Sequence, residues 1–345
     1  MKLIPSVLVV IILTGFTCLY RFLEWESRSQ KELFRVPANR PAITFILGRD
    51  KEGQHYFDLA ERHFLLDSAE RTDLIVKSCN SLESLIGYLN RHSGDQPWGI
   101  INIVVHGNMW GGLSVAMTEE GNRAYPKDLF RTVSEALLPV PDSRTIDSIT
   151  KINIWACGIG KNPVLNVALE MLFTNEKGER PQIYASPYFV IFKEVPGRLA
   201  PVRINASYWP YFFKRGYRPS ESIIISQLKN QYPDLSVNWK TALNQEKISK
   251  NDREFHDEFQ VPVVWTVLYP SKEARPAVST EEEKERWIKS QPELMQKLED
   301  LEIPIDKYHW TVNKILYKHP DGEIQPAIKA IGMCTVICVL SAEGP

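Results

Sequence analysis

The chain has 345 residues, with 41 basic and 42 acidic side chains and a net charge of -1. That length holds one sizeable core and leaves room for a second unit. The even charge balance argues against a nucleic-acid-coating protein, and 43% hydrophobic with 24% charged residues argues against a disordered chain.

Residues 3–20, LIPSVLVVIILTGFTCLY, are almost wholly apolar and follow Lys2. The stretch reads as a membrane anchor, since about 18 apolar residues can just cross a bilayer. A secretory signal shares that length and basic start, and an apolar N-terminal helix packed on the domain is a third reading. Either of the first two makes the protein membrane-anchored or secreted, with its main body extracytoplasmic and residues 3–20 as the membrane partner if uncleaved. The five cysteines are too few for a disulfide scaffold in so long a chain. Cys334 and Cys338 share an apolar strand and read as small buried hydrophobes. No cysteine pair has zinc-site spacing, and no metal or other cofactor is expected.

A charged connector covers residues 21–40, after which strands and helices alternate. AITFILG, 42–48, reads as a buried strand closed by Gly48. A helix follows through Phe57, Leu59, Phe64 and Leu65, then a strand over 73–78. Asn80 and Glu83 have capping-box spacing before a helix through Leu82, Leu85, Ile86 and Leu89. GIINIVV, 99–105, is the third strand, and MWGGLSVAM reads as a small hairpin excursion. Pro126 opens another helix, KINIWA at 151–156 is the fourth strand, and Asn162-Pro163 reads as an N-cap followed by proline at the first helical position. QIYASPYFVIF, 182–192, is a fifth strand or a strand pair. This rhythm indicates an α/β fold with a mostly parallel sheet over roughly 41–215. Beyond it, helices over 221–231 and 281–300 and three later strands predict a C-terminal α+β region, 216–345, or an extension of the first sheet.

Two strand ends carry chemistry. NIVVHG ends in His106-Gly107, and in NIWACGIG the apolar run ends in Ala156-Cys157, with Cys157 fifty-one positions after His106. In an open α/β sheet the productive crevice lies beyond the carboxyl ends of the strands. If these two strands are parallel neighbours, an imidazole and a thiol meet there: the ring deprotonates the thiol and later returns a proton to a leaving amine. The backbone N–H groups of Gly107 and Cys157 are candidates for an oxyanion hole.

This arrangement resembles the caspase-like superfamily of cysteine peptidases, which includes metacaspases, gingipains, legumains, separases and CHAT-type domains. The family pattern is an apolar strand ending in His-Gly and a later strand ending in Ala-Cys, with the histidine about fifty residues upstream in caspases. Trp155 and Ile159 stand where a caspase has glutamine and glycine, so the likeness is to the broader superfamily, and to a bacterial branch of it. The resemblance implies a three-layer sandwich and a cysteine endopeptidase acting on a peptide or protein substrate through a His106–Cys157 dyad. A non-catalytic, membrane-tethered scaffold of the same fold is the alternative. The strand after the nucleophile's helix lies beside the substrate groove in the family, which makes Ser186 and Tyr188 groove candidates. Arg49 and Asp50 follow the first strand and are the charged candidates for substrate binding: Arg49 would favour an acidic side chain at P1, Asp50 a basic one. Nucleic acid is not expected as a partner, and a homo-oligomer stays open beside a monomer.

Overall fold

A computed structural model describes residues 40–50, 55–67, 72–92, 94–244 and 256–341. Five strands form a wholly parallel sheet: β1 (Ala42–Ile46), β2 (Leu74–Val76), β3 (Ile100–Val104), β7 (Lys151–Trp155) and β8 (Gln182–Ala185), in the order β2-β1-β3-β7-β8. Between β3 and β7 lies a small antiparallel sheet of β4 (Gly107–Asn108), β5 (Gly112–Ala116) and β6 (Arg123–Ala124).

The long apolar runs of the parallel strands follow from burial on both faces. On one face Ile43, Phe45, Ile101, Ile103, Ile152 and Ile154 pack against helices α2 (Leu82–Arg91), α3 (Pro126–Ser134) and α4 (Pro163–Leu172). On the other, Ile46, Val104 and Trp155 meet Phe57, Ala60 and Phe64 of α1 (Tyr56–Leu66), together with Val190 and Phe192. Leu65, expected on the packed side of α1, is instead 65% exposed. The capping box falls one residue later than expected. Ser81 Oγ accepts from Ser84 N at 3.0 Å and Ser84 Oγ accepts from Ser81 N at 3.0 Å, while the Glu83 N–H donates to Met117 O at 3.0 Å. Asn162 does cap α4: its side chain accepts from Leu165 N at 2.9 Å, ahead of Pro163.

A second, antiparallel sheet follows the order β11-β13-β10-β9, built from β9 (Phe189–Lys193), β10 (Val202–Lys214), β11 (His256–Leu268) and β13 (Ile324–Ser341). The remaining strand, β12 (His309–Lys318), pairs with β13 across the turn that contains Gly322. The stretch 182–192 is thus a strand pair divided between two sheets, and residues 189–214 join the C-terminal sheet. Helices α5 (Glu221–Gln231) and α6 (Trp239–Asn244) cover one face through Ile224, Leu228 and Trp239. The other face packs on α7 (Glu281–Lys289) and α8 (Pro292–Asp300), separate helices because Pro292 starts the second. Met109 and Trp110, from the hairpin that follows His106, complete that core, and Trp110 Nε1 donates to Leu301 O at 3.0 Å.

The expectation of a membrane-spanning segment is corrected. Among the described residues no helix is long and apolar enough to cross a membrane. The longest, α1 and α5, have 11 residues, about 16 Å of helix against the roughly 30 Å of a bilayer's hydrocarbon core. Residues 3–20 themselves lie outside the described residues, and a membrane partner and a membrane-anchored placement are not carried further.

Candidate active site

Strands β3 and β7 run in register from Ile100 opposite Lys151 to Val104 opposite Trp155. Val105 N, donating to Trp155 O at 3.1 Å, carries the pairing one residue further. His106 and Cys157 each stand two residues beyond the last register pair. Side chains alternate between the faces of a strand, and Val105 and Ala156 belong to the core on the α2–α4 face. Both residues lie beyond the regular strands, in the connections that follow Val105 and Ala156, and their contacts differ. The His106 ring stacks on Tyr56, with centroids 4.7 Å apart and planes at 29°, and meets the Phe57 ring edge-on at 4.7 Å. Cys157 Sγ donates to Val190 O at 3.7 Å.

Cys157 is half-buried and leads into a tight turn. Gly158 adopts the left-handed conformation at φ 64°, and a short 3-10 turn, Ile159–Lys161, follows before α4. The turn is fastened to the connection between β8 and β9: Gly158 N donates to Tyr188 O at 2.8 Å and Gly160 N to Ser186 O at 3.0 Å. Within that connection Ser186 Oγ accepts from Tyr188 N at 3.0 Å. Ser186 and Tyr188 thus flank the loop that follows Cys157. Tyr208 of β10 closes the other side, with Lys161 Nζ 4.0 Å above its ring.

Gly107 lies against the same loop. A β-carbon there would sit 3.1 Å from Ile159 Cγ2 and 3.3 Å from Ala156 Cβ. Ser114 N donates to His106 O at 2.7 Å, so the Gly107–Leu113 pair is of the non-hydrogen-bonded kind, whose N–H groups point away from the partner strand.

The two charged candidates part company. Arg49 is exposed and lines a cavity of about 440 Å³ together with Lys77, Ser78, Asn80 and Ser114. Because Ser114 also holds the His106 carbonyl, this cavity adjoins the histidine's loop. Lys77 is ion-paired with Glu61 at 2.6 Å. Asp50, by contrast, is committed to α1: its carboxylate accepts from Phe57 N at 3.1 Å and Asp58 N at 2.9 Å. It serves as a remote cap for a helix whose own N-cap residue, His55, makes no side-chain capping bond.

Tyr56 is the residue that sequence reasoning missed. Its hydroxyl donates to Trp155 O at 3.0 Å. Burial holds that hydroxyl's pKa well above the ordinary tyrosine range, and the neighbouring Cys157 and Asp50 push the same way. Its one signal in the sequence is position: it opens the helix that follows the first strand, at the sheet's carboxyl edge. No family model, curated protein or solved structure matches the chain.

Proposed function

We propose that this chain is a cysteine endopeptidase of the caspase-like superfamily, with Cys157 as nucleophile and His106 as general base and acid. The observation that supports the reading is the in-register parallel pairing of β3 with β7, with His106 and Cys157 each two positions past the last pair. The strand order β2-β1-β3-β7-β8, with helices on both faces, supports a caspase-like three-layer sandwich for the N-terminal part.

In this mechanism His106 removes the Cys157 proton, and the sulfur adds to the scissile carbonyl carbon. The N–H groups of Gly107 and Cys157 receive the developing oxyanion. Collapse breaks the carbon–nitrogen bond as the imidazolium protonates the departing amine, leaving a thioester. Water, deprotonated by His106, then attacks the thioester and expels the Cys157 thiolate. Ser186 and Tyr188 border the peptide's path, and Arg49, in its cavity beside the His106 loop, favours an acidic substrate side chain.

The test is digestion of a positional peptide library by the full chain and by its Cys157→Ala form. Cleavage by the parent alone, enriched for acidic residues on one side of the scissile bond, is expected. Identical digests from the two proteins would overturn the reading.

One observation favours a second reading, a non-catalytic scaffold of the same fold: the Cys157 thiol is occupied by Val190 O and packs at the edge of the second core. Alkylation of Cys157 at a rate unchanged by His106→Ala would favour it.

A further inference from the structure

We infer that Tyr56 is the positioning residue for His106, and that Gly48 and Asp50 at the end of β1 hold Tyr56 in place. The inference rests on the proposed dyad for its functional meaning and on contacts alone for its geometry. An imidazole that takes a proton from a thiol has to be held in one orientation, commonly by a third group. Here the third group is an aromatic face. Tyr56 lies nearly parallel to the His106 ring at 4.7 Å, and Phe57 meets that ring edge-on, so consecutive residues of α1 enclose it on two sides.

The phenol is itself pinned at its far end. Its hydroxyl donates to Trp155 O, the carbonyl that also accepts from Val105 N, so one β7 peptide ties together the strand before His106, the strand before Cys157 and the ring that stacks on the imidazole. Below it, the Asp50 carboxylate receives the amides of Phe57 and Asp58 and sets where α1 begins. Gly48 supplies the clearance, since a β-carbon there would lie 2.2 Å from Phe57 Cζ. Glycine at 48 and aspartate at 50 thus form the seat of the aromatic pair that encloses His106.

The test follows the His106 ring by NMR and the alkylation of Cys157 by iodoacetamide across the neutral pH range, in the full chain and its variants. Tyr56→Leu is expected to abolish the ring-current shift on His106 and to lower the alkylation rate about tenfold, toward that of His106→Ala. Tyr56→Phe, which keeps the stack and loses the hydroxyl, is expected to retain the shift, with an intermediate rate. Gly48→Ala, which displaces Phe57, is expected to move the His106 signals with Tyr56 still present; thermal unfolding verifies that each variant is folded. Unchanged His106 shifts in folded Tyr56→Leu would overturn the inference, as would an unchanged pH profile where the parent thiol depends on His106. Peptide cleavage distinguishes the two levels. A parent that cleaves nothing, with His106 shifts that respond as stated, sinks the peptidase reading and leaves the positioning role standing. A Tyr56→Leu form that cleaves as well as the parent sinks the positioning role alone.

Discussion

Asn102 and Asn153 are joined across β3 and β7 by a hydrogen bond of 2.9 Å, each four residues before His106 or Cys157 in the chain. Asn102 Oδ1 also accepts from Trp155 Nε1 at 3.0 Å, and its Nδ2 donates to Thr44 Oγ1 at 3.2 Å on β1. A buried polar ladder therefore crosses three strands inside an apolar sheet. Slipping β7 by one residue would break the bonds from Asn153 and Trp155 to Asn102, and would turn Ile152 and Ile154 to the opposite face.

Asn102→Leu removes the acceptor shared by Asn153 and Trp155. The buried Trp155 indole N–H, left without an acceptor, costs about 1–3 kcal/mol, while the Asn153 amide is only part-buried, so urea unfolding is expected to show a loss of at least about 1 kcal/mol. A loss for the leucine variant below about 0.5 kcal/mol, the range of ordinary surface changes, would count against the ladder as a determinant of register.

Trp110 joins the two halves of the protein. It is 6% exposed, donates to Leu301 O, and packs on Phe259 with centroids 5.4 Å apart and on Phe212 at 6.0 Å. Trp110→Ala should cost about 3–5 kcal/mol, the usual range for a large aromatic truncated in a core. Hydrogen exchange should rise selectively across residues 107–116, the hairpin that carries Gly107. Faster exchange confined to other parts of the chain would contradict this.

The described cysteines are chemically unequal. Cys79, Cys334 and Cys338 are buried and Cys157 is half-buried. Burial pushes the Cys334 thiol up to about 12 and raises that of Cys79, which hydrogen bonds to Ser84 only partly offset. Brief alkylation of the folded protein in mildly alkaline buffer should label Cys157 before the other three, read by peptide mapping. Equal labelling of Cys334 would show that the second core opens readily.

Acid should loosen the start of β1. Arg40 reaches Asp147 through two hydrogen bonds of 2.8 and 2.7 Å, tying the chain before β1 to the loop before β7. Burial pushes the Asp147 carboxyl up, but Arg40 and the hydrogen bonds from Ile149 N and Thr150 outweigh it, and the net displacement is downward. A lowered folded value means the contribution is complete above the ordinary aspartate range and is lost as pH falls through the lowered value. Asp147→Asn should therefore flatten the decline of stability below about pH 4. Parallel acid-unfolding curves for parent and variant would refute the assignment.

The parallel strands, the α4 cap at Asn162-Pro163 and the two strand-end motifs were legible in the residues, because buried strands, caps and turns leave local signatures in composition and spacing. The capping box slipped from Asn80 to Ser81 because two adjacent polar residues offer nearly the same local chemistry, and Ser84 supplies the third position of the box for Ser81. The stretch 182–192 gave no sign of where its sheet would change, since Ser186 and Pro187 mark an interruption but leave the pairing partner of Phe189–Lys193 open.

What the amino-acid order determined by itself was the alternation of elements over the parallel sheet and the positions of His106, Gly107 and Cys157 just past its strands; β10, α6 and the break between α7 and α8 were not legible in it. Only the tertiary structure decided that β3 and β7 are neighbours in register, that Asp50 caps a helix while Arg49 lines a cavity, and that Tyr56 lies on His106. The physical reason is range: hydrophobic periodicity and capping act within a few residues, whereas register, stacking and remote capping are contacts between segments tens of residues apart, selected by burial of the whole sheet.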